Sequence, residues 1–209
     1  MTQTTGTNME RIKAGVWDIH EVVQNTAEKP KDDEQTMDNL MQGTLPKYKY
    51  VNQVKQRYHL QKGFEEILDR VRKENKEVAS VVTDEQFHAD KAAKDLEYFG
   101  VDPSSCVMLP ETEDFLKFCE ETVQKDPRLA LAIHYIIEGS NNGAMFIAKA
   151  VKKSYDLEGD DGTYHLQPYG TAIREKWGAF ASAFNDLEMD DELMNEMIAV
   201  GRESFHRIN

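Results

Sequence analysis

From Ile12 to Phe205 the apolar side chains return mostly at steps of three and four residues. That spacing gathers them on one stripe of a 3.6-residue helix, so the chain must bury helix faces against one another. Ile12, Val16, Ile19 and Val23 form the first stripe, and the polar stretch NTAEKPKDDEQT follows it. A short helix ending at Gly43 then leads into a long one carrying Val51, Val54, Tyr58, Ile67, Leu68 and Val71. Asn8 is the expected cap of the first helix, and Thr44 with Pro46 supply the start signals of the long one. Thr83 and Gln86 have the spacing of a capping box, ahead of a segment that ends near Gly100. Further helices are expected over about 111–124, 127–155, 170–187 and 191–206, with turns at Asp102-Pro103 and 158–162. Asp126 and Pro127 read as N-cap and first residue of the 127–155 helix, the longest candidate. Only EVASVVT, 77–83, has strand character, and it has no second strand to pair with. With no repeat and no dividing linker, the expectation is a single all-α domain over 1–209, residues 1–8 being a flexible tail.

Of the 209 residues, 40% are hydrophobic, enough for a substantial core, and the formal charge is −13. An acidic chain without clustered Lys and Arg argues against a nucleic-acid partner, because neutralising phosphates needs cations. The start, MTQTTGTNMERIK, lacks an apolar signal core, and no stretch approaches the ~18 apolar residues of a membrane helix. Cys106 and Cys119 suggest neither a disulfide framework nor zinc. A soluble cytoplasmic protein without a membrane anchor is expected.

Two features stand apart from core patterning. Gly139, Ser140, Asn141, Asn142 and Gly143 are poor helix formers placed together inside an expected helix, where a glycine costs ~1 kcal/mol relative to alanine. Gly139 and Gly143 lie four residues apart, on one side, and Ala144 extends the small surface. Such a helix either packs tightly against another or lies close over a flat ligand. The second feature is a stripe on the first helix: Lys13, Trp17, His20 and Gln24, at steps of four, three and four. A cation, an aromatic ring, an imidazole and an amide in line suit a half-exposed amphipathic face. Lone histidines are more often plain surface or core groups than ligands, but the mixture also suits a planar, partly apolar, anionic ligand with His20 on a metal and Lys13 near a carboxylate.

Here the sequence resembles the heme oxygenases, especially the bacterial branch. YIIEGSNNGAMFIAKAV, 135–151, is similar to the family's glycine-containing distal helix, and IKAGVWDIHEVV, 12–23, to its first helix, whose histidine is the proximal heme ligand. MDNLMQGTLPKYKYVNQVKQRYHLQKGFEEIL, KWGAFASAFNDL and AVGRESF resemble further family segments in the right order, so the likeness spans about 12–205. It implies heme b, both substrate and cofactor, held between the first helix and a kinked glycine helix, with His20 as the iron ligand. The implied reaction turns heme, O2 and reducing equivalents into biliverdin, CO and ferrous iron, with electrons from an external ferredoxin, reductase or small reductant. It also implies distal roles for Gly139, Ser140, Asn141, Asn142, Gly143 and Tyr58. Lys13, Trp17, Gln24, Tyr135, Arg174, Lys176 and Phe205 would contact the porphyrin or its propionates.

Two departures matter. Many family members carry Asp where this chain has Ser140, so proton delivery must run through water, Asn141, Asn142 or another side chain. Ala144 replaces a second glycine, and its methyl group narrows the space above a ligand. Two rival readings remain: a heme carrier or sensor without turnover, and a di-iron site built on the Glu-x-x-His pairs Glu85/His88 and Glu203/His206. A thiaminase-like hydrolase would need a reactive cysteine, and neither Cys106 nor Cys119 has a sequence-local base.

Overall fold

The computed structural model describes residues 6–25 and 39–208, the side chains of 19–25 excepted. Most of the expected tail (residues 1–5) and most of the polar stretch after the first helix therefore lie outside the described residues. No strand occurs among those described. The helices are α1 (Asn8–Asn25), α2 (Lys47–Glu74), α3 (Lys76–Val81), α4 (Ala89–Tyr98), α5 (Pro110–Lys125), α6 (Ala130–Tyr155), α7 (Ile173–Asn185) and α8 (Asp191–Ile208). The protein is a single all-α domain.

The segment with strand character folds as α3. Asn75 caps it, its side chain accepting the Val78 N–H at 3.0 Å, and Val78 and Val81 turn inward three residues apart. Without a partner strand, a β-prone segment satisfies its backbone groups most cheaply in a local helix. Two caps also differ from expectation. The first helix is opened by Thr7: its hydroxyl accepts the Glu10 N–H at 3.3 Å, while the Glu10 carboxylate accepts the Thr7 N–H at 2.8 Å. Asn8 instead donates to the Phe184 and Leu187 carbonyls, at 3.2 and 2.8 Å, and ties α1 to the end of α7. Thr44 donates to the Asn39 carbonyl, and Pro46 stands at the start of α2 with no side-chain cap bond. The capping box of Thr83 and Gln86 forms, but on a single 3-10 turn rather than on α4. The longest helix is α2, with 28 residues against 26 for α6, because a 3-10 turn at 127–129 precedes α6.

The main core gathers Phe64, Phe115, Leu131, Ile133, Phe180, Phe184, Met194 and Met197, from α2, α5, α6, α7 and α8. A smaller cluster around Tyr50, Val54, Leu96 and Val151 closes the other end of α2 and α6. These two helices run antiparallel: Tyr50 meets Tyr155 with ring centroids 5.6 Å apart, and Phe64 meets His134 at 6.3 Å.

Helices α1 and α8 run side by side in the same direction. Arg11 pairs with Asp191 at 2.5 Å, Gly15 lies against Ile198, Val16 against Gly201, and Arg202 donates to Asp18 at 2.5 Å. Gly201 is the junction. A Cβ there would stand 3.2 Å from Val16 of α1 and 3.9 Å from Ile136 of α6. The missing side chain lets three helices converge at one level.

Candidate functional site

One turn beyond that junction lies position 20 on α1; on α6 come Gly139 and Ser140, and on α8 Phe205. Helical geometry thus brings the polar stripe of α1 and the glycine stretch of α6 to one end of the molecule. Lys13 and Trp17 are exposed neighbours, the ammonium 5.2 Å from the ring centroid. The backbones of His20 and Gln24 belong to α1, and their side chains lie outside the described residues. Phe205 is half-buried and packs on the main core.

Helix α6 runs unbroken through the glycine stretch. Successive residues there turn ~100°, which divides them between two faces. Tyr135, Gly139, Asn142 and Gly143 share the outer face. A Cβ at Gly139 would stand 3.6 Å from the Trp177 ring, whereas one at Gly143 would meet nothing within 4 Å. Ser140, Asn142 and Gly143 are exposed. The Ser140 hydroxyl donates back to the Ile137 carbonyl at 2.6 Å and the Asn142 amide to the Gly139 carbonyl at 3.2 Å. Ala144 is half-buried. This is a surface of bare backbone, walled on one side by an indole. Trp177 was not singled out from sequence; its three-residue spacing from Phe180 reads as ordinary core.

The other face of α6 carries His134, Glu138 and Asn141, all buried, and looks toward α2. Asn141 is therefore turned away from the glycines. Tyr58 lies on α2, packed against the smaller core with its ring 5.5 Å from His59. Tyr135 packs its ring 5.8 Å from Trp177, and burial pushes its hydroxyl up to about 12. Lys176 is paired with Glu85 at 2.8 Å, while Arg174 is exposed.

Behind the glycine helix lies a polar interior that the sequence did not announce. Arg57, Gln61 and Glu65 recur at steps of four on α2. Opposite them stand Glu138 and His134 of α6, His88 from the turn before α4, and Tyr169. The Tyr169 hydroxyl donates to Glu138 at 2.8 Å, and His88 Nε2 stands 3.5 Å from the other Glu138 oxygen. Burial alone would push the Glu138 carboxyl up; His88, His134 and Tyr169 together hold it below its ordinary value. Glu65 accepts the N–H groups of His88 and Ala89, at 2.5 and 3.0 Å, and so caps α4 from a neighbouring helix. Even so, burial drives its carboxyl up to about 7, while burial drives His134 down to about 4.

These shifts oppose each other in the dependence of stability on pH. Between about 4 and 6.5 the unfolded chain protonates His134 and the folded one does not, so stability rises with pH. Between about 4.5 and 7 the folded chain keeps the Glu65 proton and the unfolded one does not, so stability falls with pH. Glu65→Gln, which retains an acceptor for the His88 and Ala89 amides, removes only the second effect. Scanning calorimetry at pH 5 and pH 7 is expected to show a larger gain in Tm for this variant than for wild type; an equal or smaller gain would mean that Glu65 titrates normally.

Among the described residues no group of three or more His, Cys, Asp or Glu side chains is placed to hold a metal ion. Glu85 pairs with Lys176 and Glu203 with Arg207, so the di-iron reading loses its carboxylates to ion pairs. Among the described residues no helix is long and apolar enough to cross a membrane.

The family model for heme oxygenase matches residues 10–209, and the chain belongs to that family of heme-degrading oxidoreductases. Curated proteins offer no match. Among solved structures, a heme oxygenase from Leptospira interrogans is similar at 19% identity and TM-score 0.83, with 97% of each chain covered. A heme oxygenase-2 from Synechocystis, solved with heme and NO, is similar at 18% identity and TM-score 0.84, covering 97% of this chain and 82% of that one. The Neisseria meningitidis enzyme, solved with NO and CO, is more distant in shape, with 22% identity and TM-score 0.64. At these identities the likeness concerns the fold.

Proposed function

We propose that this chain binds heme between α1 and the outer face of α6 and cleaves it oxidatively to biliverdin, CO and ferrous iron. The observation that carries the reading is the space over Gly143, where a Cβ would meet nothing within 4 Å, two turns past Ile136, the α6 residue at the Gly201 junction. A flat ligand needs close backbone and no side chain at that point, and glycine alone supplies both.

When bound, heme supplies the O2 chemistry and the electrons come from an external donor; the protein supplies orientation and protons. His20 is the residue of α1 that would hold the iron. Gly139 and Gly143 would let the α6 backbone approach the ligand closely. Trp177 stands against Gly139 as a wall, and Phe205 closes the α8 side. Lys13, beside Trp17, and Arg174 supply cations for the propionates. Lys176 reaches them only by leaving Glu85. With Ser140 in place of an aspartate, the exposed Ser140 and Asn142 side chains orient water for proton delivery. The donor is a ferredoxin, a reductase or a small reductant, and the setting is the cytoplasm.

The test is titration of the purified chain with hemin, followed by reductant in air. A sharp Soret band saturating at one heme per chain, then lost as a bilin band grows, is expected. A Soret band that survives reductant and air would leave a carrier or sensor. Failure to saturate would overturn the heme reading.

A further inference from the structure

The seam between α2 and α6 contains buried polar atoms that no protein group satisfies. Among the described residues these are Gln61 Oε1, both ring nitrogens of His88, Glu138 Oε1, and both amide atoms of Asn141. Gln61, His88, Glu138 and Asn141 are each at least 97% buried, with relative exposures of 2, 1, 3 and 2%. A buried polar atom left unpaired costs ~1–3 kcal/mol, so six in one seam need a partner. Direct pairing is not the answer: His88 and Glu138 approach only to 3.5 Å, longer than a good hydrogen bond. The antiparallel register of α2 and α6 sets Gln61 level with Glu138 and Asn141.

Beside these atoms lies a cavity of ≈ 10 Å³, lined by Gln61, Glu65, Gln86, His88 and His134 together with Phe64, Leu68 and Ile137. That is the room one water requires, and a buried water needs two to four polar partners. Gln61 offers an acceptor there, and His88 offers one donor and one acceptor in its neutral form. An apolar cavity of this size would stay dry; this one is walled mostly by apolar surface but also carries Gln61, Glu65, Gln86, His88 and His134.

We propose that this cavity is a specific site for an internal water, held by Gln61 Oε1 and a His88 ring nitrogen, and that Gln61 and His88 are thereby positioning residues for the glycine stretch of α6. The water fixes the imidazole, the imidazole faces the Glu138 carboxylate, and Glu138 immediately precedes Gly139. The chain of contacts ends on the backbone proposed to lie over the ligand. The water site itself does not depend on heme, so the two readings fail separately.

The experiment uses the full chain without hemin. A crystal structure at high resolution is expected to show one ordered water within hydrogen-bond distance of Gln61 Oε1 and His88, and to lose it in Gln61→Leu. A dry cavity in wild type, or Arg57 swung across to pair with Glu138, would overturn the proposal. Hydrogen exchange reads the positioning: Gln61→Leu should speed the amides of 139–143 roughly tenfold, with α5 and α8 unchanged. Gln61→Glu, which keeps an acceptor oxygen at that place, should restore slow exchange. Acceleration spread evenly over all helices would mean that Gln61 merely stabilises the fold, and would sink the positioning role. If Gln61→Leu fails to fold, the wild-type map decides the water, and Gln61→Met, which fills the same space without the amide oxygen, is read for exchange in its place.

Discussion

Replacing His20 by alanine is expected to remove the sharp Soret signature of the hemin complex and to cut bilin formation by ~100-fold or more, equivalent to ~2.7 kcal/mol of barrier. A neutral imidazole is the ligand that holds ferrous iron while leaving the opposite side free. Among the described histidines, His88, His134 and His165 are buried, with exposures of 1, 2 and 7%, and cannot reach a ligand without unfolding their surroundings. His165 is moreover held by Asp95, with Nδ1 2.7 Å from the carboxylate. His59 is half-buried beside Tyr58 and bonded to the Cys106 carbonyl, which leaves His206, exposed in the last turn of α8. Position 20 alone follows directly from the crossing at Gly201. Added imidazole should enter the space left by His20→Ala and restore the Soret band. A variant with an unchanged spectrum would move the ligand elsewhere, and His206→Ala would be examined next.

How much of this was legible in the sequence can be judged residue by residue. The helices were, because each buries a face at three- and four-residue spacing; of the α5 stripe Phe115, Phe118, Cys119 and Val123, three are buried and Phe118 is half-buried against the same core. Strand character in EVASVVT misled, because β-propensity expresses fit to a sheet and no second strand is at hand. The caps misled for a different reason. Asn8 and Thr44 are good local cappers, but Asn8 bonds carbonyls at the end of α7, which no local motif reveals, and Thr44 turns back to Asn39 rather than forward onto α2. The two faces of α6 were half legible. Gly139 and Gly143 announce bare backbone, yet Asn141 looked like their neighbour in function until the 100° turn per residue set it against α2. The polar seam was illegible. Arg57, Gln61 and Glu65 carry no motif that sets them apart in the sequence, and packing against α6 and His88 buries Gln61 and half-buries the other two. Trp177 was hidden by the opposite effect, an aromatic whose spacing suits a core and whose ring in fact abuts a glycine.

The glycines of this chain are small for two different reasons, and one substitution separates them. At Gly15, a Cβ would overlap Ile198 at 2.6 Å, and at Gly63 it would overlap Leu116, so these two are small because helices touch there. Enlarging either forces packed helices apart, at a cost of typically ~1–3 kcal/mol. Gly143 has no such neighbour. Gly143→Leu should therefore stabilise the hemin-free chain, because leucine is the better helix former by ~0.5–1 kcal/mol. The same change should weaken hemin binding by ~100-fold or more, since a branched side chain would occupy the thickness a porphyrin needs; ~2.7 kcal/mol corresponds to that factor. Tm without hemin and Kd from Soret titration would be measured on the same sample. Gain of stability with loss of binding is the pair of results that only a ligand-facing glycine gives. A fall in both would assign Gly143 to packing. A rise in Tm with binding untouched would show that the porphyrin does not lie over this part of α6. That result would leave His20 as the sole anchor of the heme reading.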